Sequence, residues 1–244
     1  MADLVIVGAS GHGREIFGIV QAINAAAASR PEATGSRPTG ATSPLRSEAA
    51  SHRADAASSS SLWDVVGFVD DSPSDANRER VERLGSKILG PVDVLAGIGP
   101  DTHYVIGIGD PRIRATVAAS VNRYPLTAAN LIHPDATVGL DNDFGTGVVL
   151  FAGARVTTNV QLGDHVHLNQ NTTVGHDSVL GSHVSVNPLA AVSGDCRIGA
   201  HVLIGTNAAV LQGLRVGAGA TVGAGACVVR DVLAGVTVKG VPAR

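Results

Sequence analysis

A period of six governs the second half of the chain. From Ile132 to Val228 every sixth residue is large and apolar, seventeen in succession, among them Phe144, Leu162, Val174, Ile198 and Val222. Four places after each anchor stands a small or aliphatic residue, such as Ala154, Val166, Cys196 or Ala208, a column that only Asn142 breaks. Glycine commonly follows the anchor, as at Gly163, Gly175, Gly181 and Gly199. Six matches neither the 3.6-residue turn of a helix nor the two-residue alternation of a plain strand. It is the mark of a short strand and a turn, repeated, which is a β-solenoid with each anchor facing inward. Three hexads close one triangular coil, so residues eighteen apart stack at the ~4.8 Å spacing of neighbouring strands.

This pattern resembles the hexapeptide repeat of the left-handed parallel β-helix. The resemblance implies an acyltransferase and a trimer, since most proteins carrying that repeat are both.

The rest of the composition narrows the alternatives. A chain of 244 residues has room for one large domain or two modest ones. With a net charge of −3 and 3% aromatic residues, it has neither the basic stripe nor the stacking platform of a nucleic-acid-binding surface. No apolar run approaches the ~20 residues of a membrane span, and the first residues lack a signal-peptide layout. Cys196 and Cys227 form no CxxC, and Cys196 falls in the inward small column, which predicts a buried thiol. A cytoplasmic protein is expected.

Ahead of the repeat, strands alternate with helices. Residues 4–7 read as a strand running into Gly8-Ala-Ser-Gly-His-Gly13, and residues 14–27 as a helix with Ile16, Ile19, Val20 and Ile23 on one face. Glycines let backbone approach an anion there, and a helix N-terminus offers free N–H groups. Residues 25–61 are mostly Ala, Ser, Pro, Thr, Gly and Arg, too polar to offset ordering entropy, and are expected to be a disordered insertion. Residues 63–69 form a second strand ending in Asp70 and Asp71. A helix is expected over 77–84, a short one after Pro91, a third strand over 103–108 and a helix over 112–121. Such alternation predicts a small parallel sheet whose carboxyl-end loops, with Gly11, His12, Gly13, Asp70, Asp71, Gly109 and Asp110, gather at one edge, where open α/β sheets bind ligands. The expected fold is therefore a Rossmann-like α/β domain over 1–127 followed by a left-handed parallel β-helix over 128–244.

The histidines carry the chemistry. His165, His183 and His201 recur at eighteen-residue spacing, three places after their anchors, and are expected to form an outward-facing column. His176 stands apart, beside Asp177. An outward imidazole titrates near neutrality and suits a general base, and a neighbouring carboxylate can orient it. Two rival readings follow from the same residues. The histidine column could serve a zinc-dependent hydratase like the γ-class carbonic anhydrases, if three ligands converged. The glycine loop could hold a dinucleotide, although the spacing of Gly8, Gly11 and Gly13 departs from G-x-G-x-x-G.

Six segments in fixed order make a resemblance specific: Gly8-Ala-Ser-Gly-His-Gly13, Phe68-Val-Asp-Asp71, Gly107-Ile-Gly-Asp110, Leu131-Ile-His-Pro134, Val174-Gly-His-Asp-Ser178 and Gly240-Val-Pro-Ala-Arg244. The set resembles the NeuD/PglD-like sugar acyltransferases, relatives of the bacillosamine N-acetyltransferase and the sialic acid O-acetyltransferases. The likeness covers nearly the whole chain outside 25–61. It implies a homotrimer that uses acetyl-coenzyme A, binds a nucleotide-sugar in the small domain, and needs no metal. It implies His176 as general base with Asp177 in place of a more usual glutamate, and His183 near the acetyl group. Gly194 would offer its N–H to the thioester carbonyl, Thr206 and Ala224 would line the pantetheine, and Asn169 would lie near the acceptor. Gly11, His12 and Gly13 match the phosphate loop, Asp70 and Asp71 the nucleoside contacts, and Gly109 lies in the third loop. Asp110 stands where an asparagine is usual. N-acetylation of a 4-amino-deoxysugar is the expected reaction, with O-acetylation of a sialic acid-type sugar as the alternative.

Overall fold

The computed structural model describes residues 1–29 and 63–244. Strand β1 (Ala2–Val7) enters helix α1 (Gly11–Ala28), followed by β2 (Trp63–Val69), α2 (Asp75–Arg83), β3 (Ile88–Gly90), a 3-10 turn (Val92–Gly97), β4 (His103–Ile106), α3 (Pro111–Val121) and β5 (Thr127–Ala128). Helix α1 runs four residues into the stretch assigned to the insertion. Its alanines 25–28 are strong helix formers that simply continue the amphipathic turn pattern. The rest of that expected insertion, from residue 30 to 61, lies outside the described residues.

All five strands are parallel, in the order β3-β2-β1-β4-β5. The order reverses between β1 and β4, so the loops after these two strands diverge and leave a crevice at their carboxyl ends. Two glycines set how tightly this switch point closes. A Cβ on Gly13 would collide with the Gly8 carbonyl, and one on Gly107 would collide with the Gly13 backbone. The first turn of α1 can therefore sit directly on the two strand ends.

From Leu131–Ile132 onward the chain is a prism of two-residue parallel strands in three sheets of seven, six and five strands. Strands pair at a spacing of eighteen residues, as Arg155 with Thr173 and Val156 with Val174, until the last, where Thr221 pairs with Thr237. The anchors and the small column fill the interior; Leu150, Leu168, Val174, Val186 and Ile204 are fully buried, and so is Cys196. The corners follow a rule that hydropathy does not reveal. The residue three places after the anchor adopts positive φ at Asp141, Asn159, Asp177 and Asp195 on the first edge, at His165, His183 and His201 on the second, and at Asn171, Leu189 and Asn207 on the third. Asn, Asp and His tolerate this backbone better than most residues, which explains their periodic choice. The glycine after each anchor answers a different need: a Cβ on Gly163 would lie 2.5 Å from the Ser182 nitrogen in the next coil.

The two halves share a core. Ile16, Ile19, Val20 and Ile23 of α1 pack with Leu4, Ile6 and Phe68 of the sheet and with Leu131, Val149 and Phe151 of the prism. Arg114 of α3 fastens the second contact. Its side chain is fully buried and donates to the carbonyls of Ile108 (2.7 Å), Gly109 (3.1 Å), His165 (3.0 Å), His183 (2.9 Å) and Val184 (3.1 Å), and to Ser185 Oγ (2.8 Å). Burial lowers its pKa to about 9, and six oxygen acceptors stand in for the missing carboxylate. Among the described residues no helix is long and apolar enough to cross a membrane.

Candidate active site

His176 sits on the first edge of the prism, two places after Val174, with half its side chain exposed. Its Nδ1 lies 2.6 Å from Asp177 Oδ2. Neighbours on an extended strand point apart, and this contact exists because Asp177 is the corner residue: its φ of 62° turns its side chain back towards the ring. The other carboxylate oxygen accepts from Asn159 Nδ2 at 2.7 Å. These two bonds, that from Asn159 foremost, hold the Asp177 carboxyl below its usual range, so it is charged at neutral pH. With Nδ1 committed to a carboxylate, the hydrogen-bond pattern assigns the proton to Nδ1 and leaves Nε2 as the acceptor nitrogen.

One coil further on, Gly194 is buried under this ring, and a Cβ there would stand 2.6 Å from His176 Nε2. Among the described residues the Gly194 N–H donates to no group, while its carbonyl accepts from Gly213. An imidazole, a carboxylate bonded to it and an N–H that donates to no described group thus occupy one edge.

The other residues expected around the coenzyme lie elsewhere on the prism. His183 is on the second edge, whereas Asn169, Thr206 and Ala224 are at the third. Thr206 and Ala224 are exposed, and Asn169 is buried, its amide donating to the Val186 carbonyl. A single chain does not bring these groups to His176.

The histidines form the expected column on the outside of the prism, but its lower end is covered and only His183 and His201 keep partial exposure. His165, His183 and His201 stack with ring centroids 5.2 and 5.3 Å apart, and the α/β domain covers the lower end, where Tyr104 packs on His165. Stacked rings do not converge on a point as zinc requires; among the described residues no three His, Cys, Asp or Glu do. Burial lowers the pKa of His165 and of His183 to about 4. Unfolded imidazoles take up a proton near pH 6.5 and these two only near 4, so the unfolded chain holds more protons across that window. Stability is therefore lost as pH falls from about 6.5 to 4. Calorimetry is expected to show Tm dropping by roughly 5–10 °C between pH 7 and 4.5, and dropping less in His165→Asn, which keeps a corner-tolerant residue without the titrating ring.

At the sheet edge, a cavity of about 330 Å³ opens over the ends of β1 and β2, with Gly8, Ser10, Asp70 and Asp71 on one side and Ile113 and Val117 on the other. Asp70 accepts from Ala9 N–H (2.8 Å) and Ser72 N–H (3.0 Å), and Asp71 from Val92 N–H (2.7 Å). Gly11, His12 and Gly13 are not in a loop but form the first turn of α1. Gly109 gives its carbonyl to Arg114 and Ser185, and Asp110 caps α3 through Arg112 and Ile113 N–H groups. His12 points the other way, at the prism. Its Nε2 lies 2.9 Å from Nδ1 of the fully buried His167, its ring packs on Phe151, and Glu15 stands 3.7 Å from its Nδ1. Sequence reasoning passed over Arg114, Asn159 and His167. The eighteen-residue spacing carried a signal for Asn159, which stands in the corner column of Asp177.

The chain is similar to several known proteins. Residues 50–121 match the family model described as the PglD N-terminal domain. No curated protein sequence matches the chain. Among solved structures, the acetyltransferase domain of PglB from Neisseria gonorrhoeae is 29% identical with a TM-score of 0.74, over 100% of this chain and 99% of that one. PerB from Caulobacter crescentus, solved with CoA and GDP-perosamine, is 25% identical with a TM-score of 0.77, over 100% and 97%. WeeI from Acinetobacter baumannii, 24% identical with a TM-score of 0.75 over 100% and 99%, shares the fold. With an α/β sheet joined to a hexapeptide prism, a PglD-type N-terminal match over residues 50–121 and full-length likeness to the PglB domain and PerB, the chain is similar to the NeuD/PglD-like sugar acyltransferases.

Proposed function

We propose that the protein transfers an acetyl group from acetyl-coenzyme A to the 4-amino group of a nucleotide-linked deoxysugar. The observation that carries the reading is the half-exposed His176, with Nδ1 held by Asp177 at 2.6 Å and Nε2 lying over Gly194. The amine nitrogen attacks the thioester carbonyl carbon and Nε2 takes the proton it sheds. The Gly194 N–H supports the oxyanion, the carbon–sulfur bond breaks, and the proton passes from the imidazolium to the departing thiolate. A mildly basic amine needs only the ~10²–10⁴-fold help of one general base besides positioning. The PglB domain solved with acetyl-coenzyme A and PerB solved with GDP-perosamine support both co-substrates.

The nucleotide takes the cavity beside Asp70 and Asp71, with Gly11, His12, Gly13, Gly109 and Asp110 shaping the turns behind it. The working unit is a homotrimer. Its support is the division of the expected coenzyme contacts among edges, since a neighbouring copy is what would set Thr206 and Ala224 beside His176. Exposed Leu140, Leu211 and Leu233 are surface that such an assembly can cover. Two free cysteines accord with a cytoplasmic enzyme.

Coenzyme A release measured against UDP-, dTDP- and GDP-linked 4-amino sugars, with sialic acid alongside, tests the reading. Release with one or more amino sugars and none with sialic acid is expected. Release with sialic acid alone would move the reaction to O-acetylation, and release with none would overturn the acceptor.

A further inference from the structure

Asp177 is exposed on half its surface, so packing alone does not hold its carboxylate where the imidazole needs it. A mobile carboxylate at such a corner would spend much of its time in water, and the ring would exchange tautomers. Two bonds oppose this: Oδ2 is engaged by His176 Nδ1, and Oδ1 accepts from Asn159 Nδ2 at 2.7 Å. Asn159 is itself anchored. It occupies the corner one coil earlier, at φ 56°, and its backbone N–H donates to the Leu140 carbonyl at 3.3 Å. From above, Arg197 donates to the Asp177 carbonyl at 2.6 Å and so fixes the backbone but not the carboxylate. The column reads Asp141, Asn159, Asp177, Asp195, Gly213, and Asn159 supplies its one side-chain amide. A neutral amide there supplies a donor where a fourth acid would supply repulsion.

We propose that Asn159 is a positioning residue of the transfer reaction: it pins the Asp177 carboxylate so that Nδ1 of His176 keeps its proton and Nε2 stays free to accept one. The proposal rests on the reading of His176 as the base. It adds a third member, eighteen residues upstream, to a pair that the chain otherwise forms from adjacent residues.

The corner backbone dictates the test. Asn159→Gly removes the amide and suits the positive φ, as Gly213 does in the same column. Asn159→Asp keeps the shape and corner preference but sets a carboxylate against Asp177, with Asp141, Asp195 and Arg197 as the other charges along that edge. Both variants are expected to fold with near-normal Tm. Expected kcat falls about tenfold for Asn159→Gly and further for Asn159→Asp, with KM for acetyl-coenzyme A within about twofold. In ¹⁵N spectra of the resting enzyme, His176 is expected as the Nδ1-protonated tautomer in the wild type and as a tautomer mixture in Asn159→Gly. A structural role alone would not move that signature. Wild-type turnover in both variants, or an unchanged tautomer in Asn159→Gly whatever its turnover, would overturn the proposal. His176→Ala separates the two readings: full turnover there would remove the base assignment, while the tautomer in Asn159→Gly still decides whether Asn159 fixes the ring.

Discussion

His176→Ala lowers kcat by at least ~100-fold and leaves coenzyme A affinity within about twofold, if the imidazole is the proton acceptor. The split between the two quantities follows from geometry. The ring contacts Asp177 and Gly194 of its own edge, whereas the exposed backbone suited to a long pantetheine arm lies at the third edge, around Thr206 and Ala224. Stopped-flow release of coenzyme A and calorimetric titration with coenzyme A measure the two separately. A variant that turned over normally would remove the assignment. One that lost coenzyme affinity and kcat in equal measure would make the ring a binding contact instead.

Arg114→Met carries the second large effect. The thioether fills much of the space but leaves five carbonyls and Ser185 Oγ without the donor they share. A buried polar group left without its partner costs about 1–3 kcal/mol, and here the losses fall together on the joint between the halves. Trp63 is the sole tryptophan and lies in the α/β sheet, so its fluorescence reports that half, while far-ultraviolet dichroism reports the whole chain. In urea the wild-type signals are expected to change together. In the variant the Trp63 transition is expected at lower urea than the dichroism transition. Coincident transitions at the wild-type midpoint would show that Arg114 does not hold the joint.

Arg114 also shows where sequence reading stops. In a chain, it is one arginine among the polar residues of a short helix, and such residues usually face water. Its burial depends on carbonyls 51 to 70 residues away and a hydroxyl 71 away, which no local pattern encodes. The prism was legible because its interior repeats at fixed spacing: each anchor meets the same surroundings, so one rule covers seventeen positions. The same spacing put His165, His183 and His201 in a column and Asn159 in line with Asp177. It could not say that Tyr104 would cover His165, since that follows from domain docking. Whether His176 and Asp177 touch was equally beyond periodicity, because it turns on a single left-handed corner. The helix boundaries were misplaced by a few residues for a simpler reason. Glycines 11 and 13 read as loop by propensity, yet close packing against Gly8 and Gly107 draws them into the first turn of α1.

A crystal structure of the assembled protein with coenzyme A bound measures the central claim directly. The account predicts the coenzyme sulfur within about 4 Å of His176 Nε2, beside the Gly194 N–H, with the pantetheine arm running along Thr206 and Ala224 of an adjacent copy. A sulfur lodged at the second edge beside His201, with the His176 ring facing open solvent, would contradict it.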